Sequence, residues 1–91
     1  MRTIIVQMKT PKMSDSQIRR LTRYIQCKHN GLFPYYTVPT EQAKLLAKNG
    51  FIHREFAADL TLTHLGVETL KSVSEPEFIE ILEDGVQKGM F

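Results

Sequence analysis

The apolar residues change their spacing along the chain, and each change predicts a different element. Residues 3–8 form a largely apolar run rich in β-branched side chains, which favours a strand. Between residues 14 and 29 the apolar positions recur every three or four residues, which is typical of a helix with one buried face. Helical spacing returns at 41–49, 64–73 and 75–86, and rough alternation at 51–56 and 60–63 predicts a hairpin.

The first predicted helix has an apolar face and a basic face. Ser14 and Gln17 match a capping box, and Asn30-Gly31 supplies a left-handed stop. The basic face either holds nucleic-acid phosphates, which suit guanidinium forks, or is simply solvated. The core stripe contains Ile18, Leu21, Tyr24 and Ile25, and the opposite side gathers Arg19, Arg20, Arg23, Gln26 and Cys27.

The connection at 31–39 is predicted to be extended, because Pro34 and Pro39 exclude a long helix. Tyr35 and Tyr36 lie within it. They either pack over the core or stand exposed as stacking platforms for bases or anchors for a protein partner.

Two central helices flank the predicted hairpin. Thr40 is expected to cap the first, and Gly50 with Phe51 to end it in a Schellman stop. Thr63 is expected to cap the second. In the first helix Ala43, Leu46, Ala47 and Gly50 should face inward and Glu41, Lys44, Leu45 and Lys48 outward; in the second, Leu65, Thr69, Leu70 and Val73 should share one face.

The last predicted helix is amphipathic and needs a surface to cover its apolar face. Ser74 and Glu77 match a second capping box, and Gly85 and Gly89 are expected to loosen the end. The helix either packs on its own domain, forms a homodimer interface or docks on another protein. Its apolar side carries Phe78, Ile79, Ile81, Leu82 and Val86, and its acidic side Glu77, Glu80, Glu83 and Asp84.

Charge divides the chain into two parts. Residues 1–54 hold ten Lys or Arg against two Asp or Glu, a net charge of +8, whereas residues 55–91 hold two against eight, a net charge of −6. The basic part favours a polyanionic partner, although two solvated faces would give the same count. The split also suggests that the acidic helix competes with DNA for the arginine face, within one chain or across a dimer.

The stretch at 40–73 resembles the end of winged helix-turn-helix proteins. A helix is followed by Asn49-Gly50-Phe51-Ile52, a hairpin, and LTHLGVETL at 62–70, similar to the "L…GLI…LTxxGxxxL" ending of that family, which includes small bacterial and phage regulators. The resemblance implies that the chain forms a small winged-helix-like domain with an α+β fold. A core at about 14–73, the N-terminal strand and an extra C-terminal amphipathic helix would form one domain of residues 1–91.

The resemblance also implies functional roles, although the sequence departs from the family pattern in two places. The family pattern implies a recognition helix carrying Gln42, Lys44 and Lys48, a wing at 53–59, and double-stranded DNA as partner. However, only residues 31–39 are available for the family's middle helix, and their prolines resist helix, so that helix must be vestigial or replaced by extended chain. Glu55 and Asp59 also place negative charge on the wing. Winged helices also serve as protein-docking modules, so both kinds of partner are considered.

Catalytic and metal chemistry are not expected. Cys27 and His29 point apart on a helix, and together with His53 and His64 they do not supply metal-ligand spacing. We therefore predict no enzyme, no cofactor and no metal site. A single cysteine and a short N-terminal apolar run favour a cytoplasmic protein without a membrane span.

Two hypotheses result. The first is a dimeric DNA-binding regulator of transcription, and the second is a phage-type module that docks on a host protein. If the arginines of the first helix lie on a different face from Lys44 and Lys48, the first hypothesis weakens. The nucleic-acid residues would be Arg19, Arg20, Arg23, Gln42, Lys44, Lys48 and Arg54; the protein-interface residues would be Tyr35, Tyr36, Leu45, Phe78, Ile81 and Leu82.

Overall fold

The computed structural model describes residues 12–32, 36–54 and 59–91 and has an α+β fold, as the sequence predicts. These residues form four helices and one antiparallel hairpin. The strand predicted at 3–8 lies outside the described residues. The elements are α1 (Asp15–His29), α2 (Thr40–Lys48), β1 (Ile52–Arg54), β2 (Leu60–Leu62), α3 (His64–Val73) and α4 (Pro76–Gln87).

The predicted capping box at the start of α1 is confirmed. The Ser14 hydroxyl accepts from the Gln17 amide at 3.1 Å, and the Gln17 side-chain oxygen accepts from the Ser14 amide at 3.0 Å. Two amides that have no partner inside the helix are thereby satisfied. The helix ends at Asn30, and Gly31 follows with a φ of 74°.

The start of α2 differs from the prediction by one residue, and its end is confirmed. The Pro39 carbonyl accepts from the Ala43 amide at 2.9 Å, so Pro39 is the N-cap and Thr40 is already helical, without a capping side chain. The predicted Thr40 cap is therefore wrong. At the other end the Phe51 amide donates to the Leu46 carbonyl at 2.9 Å, which completes the Schellman stop; Gly50, expected to face inward, is exposed.

The hairpin leads into α3 through the cap that the sequence predicts. β1 and β2 pair in register with Ile52 opposite Leu62. The Thr63 hydroxyl accepts from the Gly66 amide at 3.0 Å and donates to the Gly50 carbonyl at 2.5 Å. One side chain thus caps α3 and ties it to the end of α2.

The junction between α3 and α4 corrects two predictions. Val73 is 53% exposed, because the helix ends there and Leu70, one turn earlier, occupies the core. Ser74 terminates α3, and Glu75 is the N-cap of α4 without a side-chain bond. Pro76 takes the first helical position, where its missing N–H costs nothing, and this moves the cap one residue past the predicted capping box.

The helix α4 packs on its own domain, which is the first of the three alternatives. It lies against α1 and α3. It also continues through Gly85, which is buried beneath the Phe91 ring, so Gly85 does not loosen the helix as expected. The buried core contains Met13, Leu21, Tyr24, Ile25, Val38, Ala43, Leu46, Phe51, Ile52, Leu60, Leu70, Phe78 and Leu82.

Candidate nucleic-acid interface

A shallow groove on the outer side of α1 gathers the predicted arginines. Arg19, Arg20 and Arg23 fall on adjoining turns of α1, on the side away from buried Leu21 and Ile25. We call this surface the arginine groove; its lining is Ser16, Ile18, Arg19, Arg20, Thr22, Arg23, Gln26 and Tyr36. The groove therefore offers guanidinium, hydroxyl and amide groups in one place.

Two contacts hold arginine side chains within the groove. The guanidinium of Arg23 lies over the Tyr36 ring, 4.9 Å from its centroid, a cation–π contact. The Nε of Arg20 donates to the Ser16 hydroxyl at 3.3 Å. Tyr36 was predicted either in the core or at an interface; it is half-buried, packs against the core and contributes to the groove.

The arginines of the groove have no carboxylate partner among the described residues, unlike Lys28 and Lys71. Lys28 pairs with Asp59 at 2.8 Å, and Lys71 pairs with Glu83 at 3.2 Å. Two other grooves in the described part of the chain include glutamates in their lining, whereas the arginine groove includes none. Its positive charge is thus not neutralised locally.

The lysines of the predicted recognition helix lie on another side of the domain. Gln42 touches α1, with the Gln17 amide group 3.5 Å from its side-chain oxygen. Lys44 and Lys48, both exposed, follow Gln42 by two and six positions, so they project about 160° and 120° around α2 from that contact. Arg19 and Arg23 likewise follow Gln17 by two and six positions and project away from this contact, whereas Arg20 follows it by three and projects only about 60° from it.

The basic residues therefore do not converge on one surface. Arg19 and Arg23 point away from α2, Lys44 and Lys48 point away from α1, and Arg54 is exposed on β1. By the criterion set from the sequence, this arrangement weakens the first hypothesis, that of a DNA-binding regulator, because α1 and α2 do not present one joint basic surface. It leaves the arginine groove as a basic surface of its own.

The described part of the wing is less acidic than the sequence implied. The Asp59 carboxylate is paired with Lys28 on α1, so its charge is largely offset. Glu55 lies outside the described residues, as does the rest of the wing tip at 56–58. Arg54, at the end of β1, has an exposed side chain.

The residues predicted for a protein interface fall into different environments. Phe78 and Leu82 belong to the core of the domain and present no docking surface, because α4 covers them against α1 and α3. Ile81 is partly buried, whereas Leu45 is 47% exposed on α2. Tyr35 lies outside the described residues.

A hydrogen-bonded pair joins α4 to α1 at the end away from the arginines. Asp84 Oδ2 lies 2.8 Å from His29 Nε2 and 3.1 Å from Lys88 Nζ. The bond from His29, followed by that from Lys88, lowers the pKa of Asp84 below its usual value of 3.8. The acidic helix thus contacts α1 through His29. No described carboxylate of the same chain pairs with the arginines, which argues against the suggestion that the acidic helix competes with DNA for them within one chain.

Two polar contributions were not predicted from the sequence. Thr22 lines the arginine groove, and Gln17, expected only in the capping box, is 7% exposed and links the start of α1 to α2. Gln26 also lines the groove, on the side of α1 where the helical period predicts it beside Arg19 and Arg23. No pattern in the sequence signals the contact between Gln17 and Gln42.

The geometry defines a small α+β domain with a basic groove on its first helix. Comparison of the chain with protein-family models, curated proteins and solved structures gives no match. The winged-helix resemblance thus rests on the quoted residues alone. Among the described residues, no cluster of three or more His, Cys, Asp or Glu could hold a metal ion, and none of the helices is long and apolar enough to span a bilayer.

Proposed function

We propose that this protein is a small winged-helix-type DNA-binding protein that regulates transcription in the cytoplasm, and that the arginine groove binds the phosphates of double-stranded DNA. The observation that carries the proposal is the groove itself. Three guanidinium groups share it, and its lining contains no carboxylate. Guanidinium groups bind phosphate through paired hydrogen bonds, and phosphate contacts supply most of the affinity of proteins for nucleic acid.

Neutral groups of the groove suit the same ligand. Thr22 and Gln26 add a hydroxyl and an amide beside the arginines, both of which donate hydrogen bonds to phosphate oxygens in protein–DNA complexes. The cation–π contact with Tyr36 restrains Arg23 before a ligand arrives. Restraint of a long side chain reduces the conformational entropy that binding would otherwise cost.

The test is fluorescence anisotropy with a mixed-sequence duplex at low and physiological salt. We expect binding that weakens steeply with salt, and we expect R19A/R23A to weaken it and to reduce the salt slope by about two. The matched control K71A/K88A removes the same charge from lysines that are paired with carboxylates on α3 and α4, and it should bind like the wild type.

A third variant separates the two basic surfaces. If K44A/K48A weakens binding and R19A/R23A does not, α2 carries the phosphate contacts, as a recognition helix would, and the assignment to α1 is wrong. Absence of binding at low salt would overturn the proposal as a whole.

Docking on another protein is the second candidate, and Leu45 is the observation that favours it. Its side chain is 47% exposed on the outward face of α2, between Lys44 and Lys48. An exposed leucine with flanking lysines fits a small apolar recess with an acidic rim. A partner captured by the wild type and lost with Leu45→Glu, in a preparation that does not bind the duplex, would support this candidate.

A further inference from the structure

A second groove runs beside the arginine groove, between α1 and α4. Its apolar lining residues include Ile81 from α4 and Val73 from the end of α3, and its polar ones include Glu75 and Glu77. Ile18, Thr22 and Gln26 line both grooves, so this row of α1 residues forms the ridge between them. We call the second groove the α1–α4 groove.

The α1–α4 groove leaves apolar surface exposed. Val73 is 53% exposed and Ile18 and Ile81 are only partly buried, although all three carry large aliphatic side chains. A groove of this kind on a small domain is a common feature of an association surface. A partner that covers the α1–α4 groove would bury all three side chains together.

Opposite charges lie on the two sides of this apolar strip. Arg19 and Arg23 lie beyond the ridge on α1. On α4, Glu77 lines the opposite side of the α1–α4 groove, and Glu80 lies three residues further along, on the exposed side of the helix. The described residues provide no ion-pair partner for Glu77 or Glu80, whereas Glu83 and Asp84 are already paired.

Such a strip is complementary to itself. In a two-fold symmetric dimer the same surface of each subunit meets its copy, so a residue on one side of the axis contacts a residue from the other side. If the axis passes through the apolar strip, midway between the arginines and the glutamates, the arginines of each copy meet the glutamates of the other, and the apolar strips cover one another. α1 has 15 residues and is about 22 Å long, which gives the interface its length.

We propose that two copies of this chain associate through α1 and α4, each placing its arginine groove on Glu77 and Glu80 of the other, so that self-association excludes nucleic acid from the groove. The exclusion rests on the proposed function; the association does not. DNA binding and self-association use the same arginines, which bind either the phosphates of DNA or the carboxylates of a second copy. The acidic helix then regulates the groove between chains.

Charge reversal with mixing tests the association. Arg23 and Glu77 are both exposed, so Arg23→Glu and Glu77→Arg should leave the fold intact, which circular dichroism checks. In sedimentation velocity at low salt, each variant alone should self-associate about tenfold more weakly than the wild type, since like charges would meet twice in the dimer. An equimolar mixture should associate again, because both opposite-charge contacts are restored in the mixed dimer.

Matched variants reverse charge away from the interface. Lys44→Glu lies on the outward side of α2 and Glu68→Arg on α3, both exposed, and each should self-associate like the wild type. A second pair, Arg19→Glu with Glu80→Arg, should repeat the loss and its recovery on mixing. A wild type that stays monomeric at high micromolar concentration, or a mixture that stays monomeric when the wild type dimerises, would overturn the association.

Duplex binding then separates the two proposals. Glu77→Arg keeps the arginine groove and loses the competing dimer, so it should bind the duplex at least as tightly as the wild type. Adding an equal amount of Arg23→Glu to a fixed concentration of Glu77→Arg should weaken that binding, because the mixed dimer covers the groove of Glu77→Arg. If Glu77→Arg binds no duplex, the proposed function fails and the association result stands. If the mixed dimer forms and binds as tightly as Glu77→Arg, the exclusion is wrong.

Discussion

The Tyr24 hydroxyl of α1 hydrogen-bonds both backbone groups of Leu60 in β2. It accepts from the Leu60 amide at 3.0 Å and donates to the Leu60 carbonyl at 3.4 Å. Burial raises the pKa of Tyr24 above its usual value of 10.0, so the hydroxyl keeps the proton that it donates. One buried side chain thereby satisfies the backbone of the second strand and fixes the hairpin to the first helix.

Tyr24→Phe should destabilise the domain by about 1–3 kcal/mol, because it leaves the buried Leu60 amide without its hydrogen bond while the ring still fills the core. The Leu60 carbonyl keeps a contact with Lys28 Nζ at 3.4 Å, which limits the loss. Urea denaturation measures the change. Tyr36→Phe, which removes a hydroxyl from a half-buried ring, is the control, and an equal loss in both variants would contradict the role given to Tyr24.

Gly66→Ala should cost about 1–3 kcal/mol or more, because a methyl group at this position would overlap the carbonyl oxygen of Phe51. Backbone atoms cannot rotate out of the way as a side chain can, so α3 would have to move from the start of β1. Ser72→Ala, on the exposed side of the same helix, is the matched control. Thermal unfolding that is unchanged by Gly66→Ala would show that α3 does not approach the Phe51 backbone so closely.

Stability should fall in acid partly through Asp84. Its carboxylate is held ionised by hydrogen bonds to His29 and Lys88, and its pKa in the folded state lies below the usual 3.8. A depressed pKa contributes stability above the unfolded value, and this contribution is lost as pH falls through the lower, folded value. Asp84→Asn should therefore show a shallower loss of stability between neutral pH and strong acid.

The control for that experiment is Glu80→Gln, which removes an exposed carboxylate from the same helix. Its unfolding midpoint should follow that of the wild type across the acid range. An acid limb of the same slope for Asp84→Asn and the wild type would contradict the contribution given to the His29–Asp84 pair.

Features with a local cause could be read from the sequence. The Ser14 capping box, the Gly50 stop and the Thr63 cap depend on residues within a few positions of one another, and all three are confirmed. The two incorrect caps fail for a local reason as well: at Thr40 and Ser74 the helix begins elsewhere, next to a proline. Proline at or beside the first helical position competes with the capping side chain for the boundary.

The candidate site was only partly predictable. The helical period places Arg19, Arg20 and Arg23 on one side of α1, but it cannot say which other side chains share that surface. Tyr36 reaches Arg23 from a connection thirteen residues away, and Lys44 and Lys48 turn out to face elsewhere. The helical period thus predicted that the arginines share one side of α1. Which other side chains join them in the groove depended on how the helices and the connection pack.

The sequence by itself determined the α+β class, the positions of the helices and the charge division, because these depend on local propensity, capping and the periodicity of apolar residues. Only the tertiary structure decided that Gln17 meets Gln42, that Asp84 meets His29 across 55 positions, and that Val73 remains exposed. Those outcomes depend on which apolar faces cover one another. A contact between distant residues follows from the packing of whole helices, and no short stretch of sequence specifies it.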